Sequence, residues 1–194
     1  MKFAKETAII TTAAAVFTLA AAQEAVAQTR YQPATNGNAT YDFVGVQYLW
    51  QEWEDCEQDG LQVNGSLSFS DKLYATAAIS DVDGDYCGST ATSIGLGYHS
   101  PMNNEFDWYA SLSYINIDWG PGDDTGLGAE GGIRGYIGER LESRVSLRHT
   151  TTDDGETSIG AGLSYWFNSR FAATADASAG GDTTSFLLGA QYAF

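Results

Sequence analysis

Histidines are the first residues to consider for catalysis, and the chain has only two, His99 and His149. His149 precedes Asp153 and Asp154, either of which could orient the imidazole ring as a carboxylate orients a general base. No nucleophile motif accompanies either histidine, and no spacing of His, Cys or Glu suits a metal. The sequence therefore predicts a protein that is not an enzyme, with hydrolysis of lipids or peptides near His149 as an alternative.

Aspartates form the second group with chemical potential. The segment DVDGD places Asp81, Asp83 and Asp85 at alternate positions, similar to the start of a calcium-binding EF-hand loop. Gly84 stands at position four of that segment, whereas the calcium loop needs Gly at six and Glu at twelve. These three aspartates are weak candidates for a metal site. We expect no cofactor, with weak binding of Ca²⁺ or Mg²⁺ to acidic segments as the alternative.

Composition excludes several classes of protein. The net charge of -16 opposes nucleic-acid binding, which depends on cationic contacts to phosphate. An aromatic content of 13% is too high for a disordered chain. Beyond the N-terminus, no apolar run reaches the roughly 18 residues that a membrane-spanning helix needs.

The N-terminus predicts export. Residues 1–27 contain Lys2 and Lys5, then an apolar stretch, then the small residues Ala25 and Ala27 at a cleavage site. We interpret 1–27 as a cleaved signal peptide and 28–40 as a flexible N-terminal lead. In an oxidising compartment the even pair Cys56 and Cys87 favours a disulfide over metal binding or catalysis.

The elements that must position these residues are strands. From residue 41 to 194 the chain divides into segments of about ten residues in which apolar side chains alternate with small or polar ones. The clearest is the last, where one face carries Phe186, Leu188, Ala190, Tyr192 and Phe194. The segments number ten, and eight is the alternative count: 41–53, 61–69, 73–81, 91–99, 106–118, 127–137, 141–149, 159–167, 171–178 and 186–194.

Connections between the segments alternate in length and charge. Short ones contain Asp71, Ser100, Gly138 and Asn168, whereas the longer ones are acidic. Short turns on one side and longer loops on the other are typical of a closed antiparallel transmembrane β-barrel. The predicted loop carboxylates are Glu52, Glu54, Asp55, Glu57, Asp59, Asp81, Asp83, Asp85, Asp118, Asp123, Asp124, Asp153, Asp154, Glu156 and Asp182.

The second face of the segments is mostly Gly, Ser, Ala, Thr and Gln. A soluble β-sandwich or lipocalin-like barrel would carry many more charges there, so this face suits a narrow lumen filled by its own side chains. We expect Arg134, Arg144 and Arg148 to pair inside it with Glu130 and Glu142 on neighbouring strands. Strand-end aromatics, namely Trp50, Trp53, Trp108, Trp119, Tyr165 and Trp166, are expected at the membrane interfaces or as lumen plugs.

A signal peptide, alternating strands and a final strand with Leu188, Tyr192 and Phe194 in step resemble the small outer-membrane β-barrels of Gram-negative bacteria, the group of OmpX/Ail-like and OmpA-like barrels. The resemblance covers 41–194 and departs from common members in its ten strands and its cysteine pair. It implies that Phe186, Leu188, Ala190, Tyr192 and Phe194 form the signal read by the barrel-assembly machinery.

Together these features predict an integral outer-membrane barrel with acidic extracellular loops and a structural or surface-interaction role in the cell envelope. Its expected partners are outer-membrane lipid and lipopolysaccharide. A narrow channel for small or cationic solutes is the alternative, since an acidic mouth attracts cations.

Overall fold

The computed structural model describes residues 39–53, 56–85, 87–120, 122–152, 155–181 and 183–194. The predicted signal peptide 1–27 and most of the predicted lead 28–40 lie outside these residues. So do Glu54, Asp55, Asp153, Asp154 and Asp182 among the predicted loop carboxylates. Within the described part, no helix is long and apolar enough to cross a membrane.

Ten antiparallel strands form the described structure. Each strand pairs with the next along the chain, and the last pairs with the first, so the sheet closes on itself as a barrel. This confirms the predicted fold class and strand count. The strands are β1 (Phe43–Trp53), β2 (Cys56–Ser68), β3 (Leu73–Gly84), β4 (Ser89–Pro101), β5 (Phe106–Asp118), β6 (Asp123–Ile137), β7 (Leu141–Thr150), β8 (Glu156–Trp166), β9 (Phe171–Gly180) and β10 (Thr183–Ala193).

The outer face of the barrel is apolar. Successive residues of a strand point to opposite faces, so the period-two pattern places one set of side chains outside. Ile94, Leu112 and Ile159 are 64%, 69% and 60% exposed there. A closed ring of aliphatic side chains at such exposure suits hydrocarbon rather than water, because contiguous apolar surface is small on soluble monomers.

The barrel has a lower and an upper end, defined by the chain termini. Phe43 and Ala193 are register partners where β1 begins and β10 ends, and we call this end lower. Two of its turns are closed in the same way. The side-chain Oδ1 of Asn103 accepts from the N–H groups of Glu105 and Phe106 at 2.8 Å, and Oδ1 of Asn168 accepts from those of Arg170 and Phe171, where β9 begins.

At the upper end the strands are longer than the sequence predicts. β2 begins at Cys56 rather than at residue 61, β3 continues to Gly84, and β6 begins at Asp123 rather than at 127. Register pairs such as Trp53↔Cys56 and Asp118↔Asp123 show that the ladder continues through these acidic segments. The expectation of long acidic loops is therefore wrong for most of these residues. These residues belong to paired strands, because hydrogen bonds between the backbones of neighbouring strands do not require apolar side chains.

The start of β1 also differs from the prediction, which placed Tyr41 in the strand. β1 begins at Phe43, and the residues before it turn into the lumen. The carbonyl of Asp42 still accepts from the N–H of Phe194 at 3.2 Å, and Tyr41 beyond it packs among the buried aromatic side chains of the lower lumen.

Candidate functional site

The lumen is closed at the lower end by aromatic side chains. Tyr41, which precedes β1, stacks on His99 with ring centroids 3.8 Å apart and packs against Tyr74 at 4.8 Å. Tyr109 joins the same buried cluster. We call Tyr41, Tyr74, His99 and Tyr109 the lower plug. Burial raises the pKa of the Tyr41 hydroxyl, so that hydroxyl stays neutral inside the barrel.

Charged groups surround the lower plug. Asp107 is fully buried, and its Oδ2 lies 3.6 Å from Nδ1 of His99. The guanidinium of Arg134 lies over the Tyr41 ring, 5.1 Å from its centroid, and Nε of Arg134 donates to Glu142. Glu142 also accepts from Nε1 of Trp166 at 3.1 Å. The lower end of the lumen is therefore held by bonded charges as well as by packed rings.

Above the plug, a hydrogen-bonded network crosses the lumen. Arg144 on β7 donates to Oδ1 of Asp176 on β9 at 2.7 Å, and Gln47 on β1 donates to the other oxygen, also at 2.7 Å. Gln62 and Asn64 on β2 donate to Oε1 of Gln47 at 3.3 Å. We call these five residues the cross-lumen network. It joins β7, β9, β1 and β2, which lie on different sides of the barrel.

A cavity of about 490 Å³ runs along the lumen from Tyr41 and Tyr74 of the lower plug, past the cross-lumen network, to upper residues such as Thr152 and Glu156. Serine and threonine are the commonest residues of its wall, and aliphatic, aromatic, amide and charged side chains complete it. The sequence predicts a lumen filled by its own side chains. This holds at the lower plug, whereas the cavity leaves the rest of the described lumen only partly filled.

The predicted lumen charges meet in a different pattern from the one expected. Arg134 does pair with Glu142, but Arg144 pairs with Asp176, and Glu130 accepts from the Tyr109 hydroxyl at 2.7 Å. Arg148 forms no ion pair or hydrogen bond among the described residues.

Glycine explains the pair between Arg144 and Asp176, which lie two strands apart. Gly162 on β8 faces the lumen between them. A Cβ added at Gly162 would overlap the Asp176 carboxylate and lie 3.5 Å from Nε of Arg144. The missing side chain on the intervening strand therefore lets the two charges meet.

The acidic residues of the upper end face mainly outward. By strand alternation, Asp59 shares a face with the exposed Leu61, and Asp123 shares one with the exposed Leu127. We call the outward-facing set the collar: Glu52, Glu57, Asp59, Asp81, Asp83, Asp118 and Asp123. Only Asp124 and Glu156 of the described strand carboxylates at this end alternate inward. The collar therefore surrounds the barrel wall more than it lines the mouth.

The weak metal candidates do not form a binding site in the described residues. Asp81 accepts from Oγ1 of Thr90 at 2.6 Å, while Asp83 and Asp85 are exposed. No group of three or more His, Cys, Asp or Glu in the described ranges is arranged to hold a metal ion.

The predicted disulfide between Cys56 and Cys87 is present. Cys56 opens β2, and Cys87 lies in the connection between β3 and β4, with 6.4 Å between the two Cα atoms. The bridge therefore ties two neighbouring hairpins at the upper end.

His149 lies on the outer face of β7, and its Nδ1 is 2.8 Å from Oγ1 of Thr157. The carboxylates that the sequence suggests as its partners lie outside the described residues. The strand-end aromatics divide as expected. Trp50, Trp108 and Tyr165 are exposed on the outer face, whereas Trp166 is buried in the lumen.

No family model and no curated protein sequence matches the chain. Among solved structures it is similar to a KdgM porin in complex with disordered oligogalacturonate, at 10% identity over 78% of this chain and 99% of that one, with a TM-score of 0.50. The fold is that of a transmembrane β-barrel. The translocator domain of the autotransporter NalP from Neisseria meningitidis is also similar, at 15% identity over 95% of this chain and 98% of that one, with a TM-score of 0.44.

Several functional residues of this transmembrane barrel have no clear signal in the sequence. Asp176 and Gln47 lie in unremarkable alternating segments, and only the register of three strands brings them together. Asp107 follows the apolar Phe106 at the start of the predicted strand 106–118, where nothing in the local sequence indicates that its carboxylate is buried. The sequence does offer one signal, which is glycine at inward positions of β8. A residue without a side chain leaves space in the lumen for longer side chains on the neighbouring strands.

Proposed function

We propose that the protein is an integral outer-membrane β-barrel with a structural or surface-interaction role in the cell envelope. Residues 1–27 direct export, the lower end faces the periplasm, and the upper end faces outward. Short lower turns and an even strand number that brings both termini to one end support this orientation.

The observation that carries the proposal is the position of the collar above the apolar band of the outer face. Side chains there contact lipid headgroups rather than solutes in the lumen. Lipopolysaccharide is anionic, so carboxylates beside it are compatible only with intervening cations or with water. We propose that the collar contacts lipopolysaccharide headgroups through weakly held Ca²⁺ or Mg²⁺, without a defined coordination site.

The outward face of β10 supports an interaction during assembly. Phe186 and Leu188 are 43% and 42% exposed, Ala190 and Tyr192 continue the same face, and Phe194 follows the strand. We propose that the barrel-assembly machinery reads these residues before β10 pairs with β1 and closes the sheet.

Heat-modifiable gel migration of the outer-membrane fraction tests the proposal. A folded barrel extracted in detergent should migrate faster unboiled than boiled, and reductant should alter the migration because it opens the bridge between Cys56 and Cys87. Recovery in the soluble fraction, or identical migration before and after boiling, would contradict an integral barrel.

A narrow channel for small or cationic solutes is the second candidate, and the cavity that runs along the lumen above the lower plug favours it. The closed lower end opposes it, and the outward collar weakens the case for cations. Single-channel recording in planar bilayers distinguishes the two functions, because a channel gives stepwise current and a purely structural barrel gives none.

Catalysis is a third and weaker candidate. His149 faces the lipid side with Thr157, so a reaction there would act on lipid at the upper interface. We propose that the protein has no such activity, and that His149→Ala leaves lipid and peptide hydrolysis by the purified barrel at background level, equal to that of the unchanged protein.

A further inference from the structure

Among the residues that the structure describes, Arg148 has no counter-ion. It faces inward on β7 between Ser146 and Thr150 and lines the cavity. Its register partner is Glu130, whose carboxylate instead accepts the hydrogen bond from Tyr109. No other carboxylate of the described residues pairs with Arg148. A partly buried guanidinium that lines a cavity and has no partner among the described residues is free to bind an anionic group by charge-assisted hydrogen bonds.

Other groups on the same wall converge with this guanidinium. The position that a Cβ would occupy at Gly128 lies 3.7 Å from Nη2 of Arg148, 2.7 Å from Oγ of Ser113 and 2.9 Å from Cδ1 of Ile115. Gly128 thus leaves room for the arginine to extend across β6 towards β5. A cation, a hydroxyl donor and a methyl group therefore lie side by side, as an amphipathic anion would require.

Leu49, Val82, Ile115, Ile117 and Leu187 are the Val, Leu and Ile side chains that line the cavity. Ile115 lies beside Arg148 across β6, whereas Leu49, Val82 and Leu187 lie on the more distant strands β1, β3 and β10. Ile117 and Leu187 keep part of their surface open. A cavity of about 490 Å³ falls within the range of small-molecule sites, about 300–1,000 Å³.

We propose that the upper lumen binds a small amphipathic carboxylate. The carboxylate pairs with Arg148 and accepts from Ser113, and the apolar body lies against Ile117 and Leu187. The collar carboxylates point to the outside of the barrel, and the lining carboxylates Asp176, Glu130 and Glu156 each accept a hydrogen bond from a neighbouring side chain. Of the described strand carboxylates at the upper end, only Asp124 and Glu156 face the path of an entering anion.

Calorimetric titration of the full chain, folded in lipid nanodiscs, tests the site with 4-phenylbutyrate as the probe. We expect saturable binding of one equivalent, and no binding of 4-phenylbutyramide or acetate, which lack the charge and the apolar body respectively. Arg148→Gln should weaken binding about tenfold or more, since it removes a charge-assisted hydrogen bond. Ile117→Ser should weaken binding less, and Arg148→Lys should keep part of it.

Arg140→Gln is the matched control, because Arg140 is exposed in the turn between β6 and β7 at the lower end, away from the cavity. It should bind the probe as the unchanged protein does. Each variant is first shown to be a folded barrel by its heat-modifiable migration, and if Arg148→Gln does not fold, Arg148→Lys and Ile117→Ser decide the result. Absence of saturable binding, equal binding by the amide, or unchanged affinity in the folded arginine variants would overturn the proposal. None of these results bears on whether the chain is a membrane barrel.

Discussion

At the scale of single residues, the pair between Arg144 and Asp176 holds the cross-lumen network together. The Asp176 carboxylate accepts from Arg144 and from Gln47, so its removal leaves both donors without their acceptor. Unfolding in urea should show that Asp176→Ala lowers the free energy of unfolding by about 1–3 kcal/mol. Asp176→Asn should lose less, because the amide oxygen still accepts. Asp123→Ala, on the exposed outer face of β6, is the control and should have almost no effect.

Gly97 and Tyr74 form a second testable pair of residues. A Cβ at Gly97 would overlap the ring of Tyr74, its register neighbour on β3. Gly97→Ala should therefore cost about 1–3 kcal/mol of unfolding free energy, because the ring must move. In a Tyr74→Ala background the same change should cost much less, and Gly131→Ala should be tolerated, since its nearest neighbour would be 3.7 Å away. Equal costs of Gly97→Ala in both backgrounds would show that the ring contact is not the cause.

At the scale of elements, the apolar alternation of the sequence predicts the strands well in their middle and lower parts. β5 spans Phe106–Asp118, as the sequence predicts, because its apolar alternation runs through most of its length. The upper parts of β2, β3 and β6 carry Asp, Glu and Gly, so their only support is pairing with distant residues, which a local pattern cannot show. The same limit applies to the lumen, where the pair Arg134 and Glu142 is predictable from neighbouring strands but Arg144 with Asp176 requires the full register.

The disulfide is the element-scale feature most open to test. It closes a sequence separation of 31 residues that contains most of β2 and all of β3. In the chain-entropy description a loop of about 30 residues is worth about 3–4 kcal/mol. The double variant Cys56→Ser with Cys87→Ser should lose about this amount of unfolding free energy. Reductant should lower the urea midpoint of the unchanged protein and leave the double variant where it is, and a reductant effect on both would point to another cause.

At the scale of the whole molecule, the barrel is divided along its axis. The lower end is closed by rings and bonded charges, the cavity extends from this plug to the upper end, and the collar surrounds the upper end. The net charge of -16 is therefore not spread evenly. Among the described residues, much of it lies on the outside of the upper wall, where we propose contact with lipid headgroups, while the lumen carries a partly compensated set of charges. In the functions that we propose, the outer face contacts the membrane and the lumen binds a ligand.

Closure of the lower half predicts the behaviour of the barrel in a bilayer. The unchanged protein should give no stepwise current, because Tyr41 and Tyr74 fill the lumen together with His99 and Tyr109. Replacing both Tyr41 and Tyr74 by Ala removes two rings from the lower plug, and brief openings should then appear in single-channel recordings. The matched control replaces two outward tyrosines, Tyr48 and Tyr114, which are 37% and 51% exposed on the lipid side, and should stay silent. Steady conductance by the unchanged protein would show that the lower plug does not block ion flow under an applied voltage. That result would favour the channel function over the structural one.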